Sequence, residues 1–331
     1  MRLLVTGGTG FIGSHLAEDA RCRGAEVVVL GLTDRPEEQA NAALLEGLGV
    51  RVLPGSVTDA ALCARAMEGV THVYHLAVAM REAGMTDEYF EEINLGGTRR
   101  LLETASARGL QRFVYCSTIG IFGHRAAGIT NEDSPLRPGN VYERTKVAAE
   151  GMARDFHARV GLPVVILRPA DVYGPRDYRL LKLFRGVVAG RFPLFGDGKG
   201  RRHMVFVDDV VAAFRLASEE DGAVGQALII AGPESCTLRE LIDAIARASG
   251  QRRFGWRLPL APMLAAAAVV EDVSTALKVT PPIYRRRMDF FHSDSAFDTS
   301  RARRVLRWEP KVHLNEGVVR TLEAYRKAGL V

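Results

Sequence analysis

Short, uninterrupted apolar runs alternate along this chain with longer stretches in which apolar residues recur every three or four positions. Leu3-Leu4-Val5, Val27-Val28-Val29-Leu30, Phe113-Val114-Tyr115-Cys116 and Val164-Val165-Ile166-Leu167 have no polar partner face, as suits strands covered on both sides. Strands are therefore expected near residues 2–6, 25–30, 50–53, 71–76, 112–116 and 163–168, with helices between them, two of these around 88–107 and 141–158. Alternation of this kind specifies an α/β fold, a doubly wound parallel sheet. The chain changes character after Pro175, where Gly196-Asp197-Gly198 and loops around Pro259, Pro262 and Pro281-Pro282 mark a smaller C-terminal lobe. Residues 1–175 then form the main domain, 176–331 the lobe, and 204–232 return to the main sheet.

The most apolar stretch, Leu258 to Val270, is 13 residues long against the roughly 20 needed to span a bilayer, and is expected to be a buried helix of the lobe. Met1 to Val5 is expected to be the first strand and not a signal peptide. With 331 residues and 47% hydrophobic content, the chain can bury a large core as one domain or two intimate ones. The net charge of +5 is mild, although arginines gather in Arg201-Arg202 and Arg285-Arg286-Arg287. Neither cluster carries the interleaved aromatics or helical stripe that nucleic acid would call for, so no nucleic-acid partner is expected. Four cysteines at 22, 63, 116 and 236 are scattered, and the eight histidines are dispersed, so no disulfide framework and no metal site is expected. Such cysteine usage suits the cytoplasm.

Chemistry enters with Thr6-Gly7-Gly8-Thr9-Gly10-Phe11-Ile12-Gly13, which follows the first apolar run and opens a helical pattern. Glycines at 7, 10 and 13 permit a tight turn, a close backbone approach to a pyrophosphate and a helix start against the strand, with the helix N-terminus facing the anion. Tyr142 and Lys146 lie four residues apart and share a helix face. A free tyrosine has a pKa of about 10, and an adjacent ammonium favours its phenolate, which equips the pair to move a hydroxyl proton. Ser117 and Thr118 place hydroxyls at the carboxyl end of a strand, where ligands of open parallel sheets bind.

Together these segments resemble the extended short-chain dehydrogenase/reductase superfamily, in its branch of NAD-dependent epimerases and dehydratases, whose sheet is of the Rossmann type. The resemblance also includes Val73-Tyr74-His75-Leu76-Ala77, Asn94-Leu95-Gly96-Gly97-Thr98, Ile121-Phe122-Gly123, Leu167-Arg168-Pro169, Val172-Tyr173-Gly174-Pro175 and Val205-Phe206-Val207-Asp208-Asp209-Val210. It implies a catalytic set of Thr118, Tyr142 and Lys146, with Ser117 nearer the nicotinamide. It places NAD or NADP against Gly7, Gly10, Phe11, Ile12, Gly13, Leu76, Ala77, Val78, Asn94, Ser117, Tyr142, Lys146, Pro169 and Val172, with Ser56 and Val57 toward the adenine. By the same resemblance Thr118, Arg202 and Arg286 meet the substrate, the arginines gripping a diphosphate, and helices around 88–107 and 141–158 build a homodimer.

The chain departs from the family pattern at three places. Gly31 stands where an acidic residue commonly grips the adenosine ribose, leaving Asp34 to reach the ribose from the next loop and Arg35 to pair with a 2′-phosphate, a slight lean toward NADP. Ser56 replaces an aspartate at the adenine. Ile119 and Gly120 fill the places of the Asp-Glu pair that sugar-nucleotide dehydratases carry after the catalytic threonine, so water elimination lacks its proton donor. Hydride transfer at a secondary alcohol or ketone remains. The first substrate class is a nucleoside-diphosphate sugar. The alternative is an apolar ketone or 3-hydroxy compound, since Leu258 to Val270, Pro281-Pro282 and Arg287-Met288-Asp289-Phe290-Phe291 look like segments of 3β-hydroxysteroid dehydrogenase and dihydroflavonol reductase relatives. A dinucleotide-binding sensor without catalysis is the reading from another class, and an intact Thr118-Tyr142-Lys146 set opposes it.

Overall fold

The computed structural model describes residues 1–80, 85–123, 128–251, 257–276, 279 and 295–331. Arg286 with its neighbours Arg285 and Arg287, the Pro281-Pro282 pair and the segment 287–291 lie outside them. Seven strands form one parallel sheet: β1 (Arg2–Thr6), β2 (Glu26–Gly31), β3 (Arg51–Pro54), β4 (His72–His75), β5 (Arg112–Cys116), β6 (Val164–Pro169) and β7 (Ala227–Ile230). Their spatial order is β7-β6-β5-β4-β1-β2-β3, with Leu3 opposite both Val27 and His72. The order reverses between β1 and β4, the switch point at which Rossmann-type sheets open a crevice for ligands.

Apolar residues alternate between two layers. Leu3, Val5, Val27 and Val29 pack toward α1 (Phe11–Cys22), α2 (Pro36–Gly47) and α6 (Val207–Glu219), whereas Leu4, Val28, Leu30 and Val73 pack toward α3 (Ala60–Ala66), α4 (Thr98–Ser106) and α5 (Val141–Val160). Both sheet faces are therefore covered, which is why the strands read as continuous apolar runs. The first layer continues into the C-terminal part through Trp308, Val318, Leu322 and Tyr325.

The return to the main sheet is narrower than 204–232. Only β7 joins it, because Met204–Phe206 pairs instead with Asp171–Tyr173 in a separate two-stranded ribbon beyond the end of β6. The stretch Leu258 to Val270 does lie largely in a helix, Leu260–Ala276, but it is not buried. Ala267 and Ser274 are covered, while Val269 and Val273 are 61% and 51% exposed. Alanine-rich sequence with no polar stripe favours a helix without specifying a covered face. No helix among the described residues is long and apolar enough to cross a membrane.

One buried ion pair ties the sheet to its catalytic-side layer. Arg168 of β6 donates from Nε and Nη2 to both oxygens of Glu150 on α5, at 3.0 and 2.7 Å, and from Nη1 to the carbonyl of Glu132 at 3.1 Å, its guanidinium lying over the Phe122 ring. Both ionic side chains are 3% exposed. Removing one partner strands a charge in the core, so Glu150→Ala should cost about 3–5 kcal/mol in urea unfolding, whereas the double replacement Glu150→Leu with Arg168→Met should regain most of it. Equal losses in the single and double variants would show that shape and not charge is what the site needs.

Candidate active site

The turn after β1 closes by backbone contact alone. Gly7 adopts φ +67, a conformation that L side chains rarely take, and a Cβ there would stand 2.8 Å from Ala77 N and 2.9 Å from the Leu76 carbonyl carbon. Gly13 likewise faces Gly8 Cα and the Gly7 carbonyl too closely for any side chain. The two glycines thus press the start of α1 against the exits of β1 and β4. Gly10 caps α1 without a side-chain hydrogen bond, and no acidic residue occupies the first turn, so the helix presents uncapped N–H groups and the positive end of its dipole. Gly7, Gly10, Phe11, Ile12 and Gly13 are in this way brought beside Leu76, Ala77 and Val78, which line the exit of β4 half-buried.

Across the switch point, β5 ends at Cys116 and delivers Ser117 and Thr118. Thr118 Oγ accepts from Gly120 N at 3.0 Å, opening a short 3-10 turn (Ile119–Phe122), and its own proton is left for another acceptor. Ser117 is buried, and its Oγ has no hydrogen-bond partner among the described residues. Helix α5 begins at Val141 because Asn140 caps it through Glu143 N at 3.1 Å, which fixes half-buried Tyr142 in the first turn. One turn on, Lys146 is 3% exposed, donates to the Cys116 carbonyl at 2.5 Å, and lies over the Tyr115 ring. Burial pulls its pKa down from 10.5 to about 8, against the upward pull of Cys116 and Glu150.

His75 supplies a link that its place among dispersed histidines did not reveal. Its Nδ1 is 2.7 Å from Thr6 Oγ1 and its Nε2 is 2.8 Å from Thr98 Oγ1, while Thr98 donates to the Asn94 carbonyl at 2.6 Å. Because Thr98 spends its one proton there, His75 must donate from Nε2 and accept at Nδ1, the neutral tautomer. Burial, reinforced by Lys146, lowers the His75 pKa to about 3 and holds it in that form. Asn94 sits in a π-helical turn (Glu92–Gly97), accepts from Ala79 N at 2.8 Å and donates to Thr145 Oγ1 at 2.9 Å. Its amide therefore ties the β4 exit to the helix that carries Tyr142.

Beyond the end of β6 the structure places one expected arginine and two unexpected partners. Arg202, with 9% of its side chain exposed, pairs through Nη1 with Asp171 at 3.0 Å, and Asp171 follows Pro169 and Ala170 off the end of β6. Arg179 donates to the Val172 carbonyl and to Asp177, and its guanidinium lies 5.7 Å from the Phe11 ring centroid, joining the strand Asp171–Tyr173 to the glycine turn. Of the residues expected toward the adenosine, Ser56 Oγ accepts from Thr58 N and Oγ1, Val57 packs against Gly97, and Asp34 and Arg35 are exposed at the entry of α2, their N–H groups held by Glu38. Arg286 lies outside the described residues.

A dinucleotide fits these residues: the uncapped start of α1 suits a diphosphate, and the orphaned Ser117 hydroxyl suits a polar ring substituent. Comparison with known proteins agrees. Residues 3–231 match the model of the NAD dependent epimerase/dehydratase family. The chain is 33% identical to UDP-glucose 4-epimerase of Mycolicibacterium smegmatis over 98% of its own length and 99% of the relative's, and 32% identical to sterol demethylase protein B of Methylococcus capsulatus over 92% and 93%. Among solved structures it resembles the NAD-bound dTDP-glucose 4,6-dehydratase DesIV of Streptomyces venezuelae, with a TM-score of 0.80 and 30% identity over 99% of this chain and 97% of that one. A family match over most of the chain, together with relatives that align with it nearly end to end, makes this protein a member of the NAD dependent epimerase/dehydratase family.

Proposed function

We propose that the protein transfers hydride at a secondary alcohol or ketone of a nucleoside-diphosphate sugar, as an epimerase or as a net oxidoreductase. Bound NAD or NADP would supply the hydride chemistry. The Tyr142 phenol takes or returns the proton of the reacting hydroxyl, the Lys146 ammonium one turn away favours its phenolate, and Thr118 donates to the same substrate oxygen. Elimination of water is not part of this reading, because Ile119 and Gly120 bring no acid to the site. The reading includes a homodimer formed through the helices around 88–107 and 141–158, and a substrate lobe formed mainly by residues 176–331.

Arg202 carries the substrate class. A guanidinium so deeply buried needs an anion, and its carboxylate partner Asp171 is 44% exposed, so Asp171 can swing aside as a diphosphate takes its place. The same pair also favours a second reading: Asp171 already neutralises Arg202, and an apolar ketone would leave the bridge intact. The similarity to sterol demethylase protein B points the same way.

Three outcomes test this. Tyr142→Phe should lower kcat by at least about 100-fold while nicotinamide dinucleotide affinity stays close to wild type; retained turnover would remove Tyr142 as the proton carrier. Arg202→Met should raise KM for UDP- or dTDP-sugars by about tenfold with a smaller change in kcat, and an unaltered KM would transfer the substrate search to apolar ketones. Lys146 gives a pH signature. Between about 8 and 10.5 the unfolded chain binds more protons than the folded one, so this group's contribution to stability rises with pH across that window, while below it the folded state carries the whole burial cost, about 3 kcal/mol. Lys146→Met should therefore abolish turnover yet stabilise the cofactor-free protein at pH 7, by a margin that shrinks toward pH 10. A margin that is flat with pH in urea unfolding would mean Nζ titrates normally.

A further inference from the structure

Lys146 is a buried ammonium whose surroundings give it no carboxylate of its own. Cys116 and Glu150 pull it upward, but burial pushes the Cys116 thiol up to about 11 and keeps it neutral, and Glu150, one turn further along α5, has both oxygens engaged by Arg168 of β6. His75 on β4 is held neutral, and Tyr142, one turn back, favours the ammonium only once its own proton has left. Two attractive partners remain among the described residues. The Cys116 carbonyl takes one of the three N–H groups at 2.5 Å, and the Tyr115 ring centroid lies 4.3 Å from Nζ.

Strand alternation aims that ring. Phe113 and Tyr115 face the layer of α4 and α5, whereas Val114 and Cys116 face the opposite layer. Tyr115 is 1% exposed and tilts against the His75 ring at 5.6 Å, so it is held from a second side by a neutral neighbour that does not compete for its face. Its hydroxyl has no hydrogen-bond partner among the described residues. A buried tyrosine ordinarily places its hydroxyl on a partner, so what this position uses is the ring.

We propose that Tyr115 is a positioning residue of the proton-transfer pair, its ring face holding the Lys146 ammonium in place and charged one turn along α5 from Tyr142. A desolvated ammonium is drawn to the negative face of an aromatic ring, which offsets part of the burial that pulls Lys146 down to about 8. A carboxylate in the same place would also keep the ammonium charged, but it would cancel the positive field that favours the Tyr142 phenolate. The ring carries no net charge and leaves that field directed at Tyr142. The proposal rests on the Tyr142–Lys146 reading given above and deepens it.

The test follows Lys146 itself. The chain has six lysines, at 146, 182, 199, 278, 311 and 327, few enough to titrate one by one by NMR in protein isotope-labelled at lysine Cε, with Lys146→Met assigning the signal. In the full chain without dinucleotide, Lys146 should lose its proton near pH 8. Tyr115→Phe keeps the ring and removes the idle hydroxyl, so the midpoint should stay where it is. Pentafluorophenylalanine at 115 keeps the shape and reverses the charge of the ring face, so the midpoint should fall by about one pH unit. Tyr115→Met, which fills the core without a ring, should lower it as well, and either of these two variants suffices if the other fails to fold. The alkaline limb of kcat with UDP- or dTDP-sugars should fall with the midpoint. A midpoint that neither change moves would overturn the proposal, as would one that falls equally far in Tyr115→Phe, which would give the role to the hydroxyl. A midpoint that moves while the kcat limb stays would remove Lys146 from turnover, and with it the reading beneath the proposal, although the ring contact itself would stand.

Discussion

The whole site hangs on backbone atoms approaching one another where side chains would forbid it. Gly7 against Leu76 and Ala77, and Gly13 against Gly8, let α1 begin directly over the switch point between β1 and β4. From that single placement follow the direction of the helix dipole, the exposure of its first N–H groups, and the position of Phe11 beneath the Arg179 guanidinium. A Cβ at Gly7 would push the turn off the β4 exit, and Leu76 to Val78 would lose their place beside it. The cost would exceed that of an ordinary turn glycine, because neighbouring backbone cannot yield as a flexible side chain can.

A second constraint joins this glycine turn to the start of α5. The chain Thr6, His75, Thr98, Asn94, Thr145 is a continuous run of buried hydrogen bonds from the end of β1 to the first turns of α5. Burial makes such a network worth keeping only when every member is satisfied, and donor counting shows that the neutral His75 tautomer satisfies it. The π-helical turn at Glu92–Gly97 carries Asn94 into this run, bringing its amide to Ala79 and Thr145 together. π-Bulges recur at functional sites for this kind of reason. The network positions Tyr142 indirectly: Thr145, which receives the Asn94 amide, itself donates to the Tyr142 carbonyl at 2.9 Å.

Much of this was legible in the residues. Six strands lie within a residue or two of where their apolar runs placed them, because strands covered on both faces leave an unambiguous signature. Glycine spacing located the turn, and the four-residue separation put Tyr142 and Lys146 on one helix. What stayed hidden depends on long-range contact. Nothing local marks Asp171 as the partner of Arg202, 31 positions away, or Arg179 as a neighbour of Phe11. Gly31 was legible as a missing acid, whereas its close approach to Thr9 appears only once β2 and the glycine turn are packed. The apolar helix Leu260–Ala276 misled for the opposite reason, since hydrophobicity without periodicity predicts a helix and says nothing of which face is covered.

The electrostatics around Arg202 bear on the choice between the two proposed substrate classes. Arg202 and Asp171 are a half-open pair, one partner sunk in the protein and the other reaching solvent. Such a pair contributes little to stability on its own, because screening at the exposed carboxylate weakens the attraction while the buried guanidinium still bears its desolvation cost. A structural bridge would gain from closing both ends, as Arg168 and Glu150 do one strand away at 3% exposure each. An arginine kept buried beside a carboxylate that can leave is better suited to exchange one anion for another. On the proposed reading, that asymmetry weighs toward an anionic substrate, with Asp171 the group that a diphosphate would displace from Arg202.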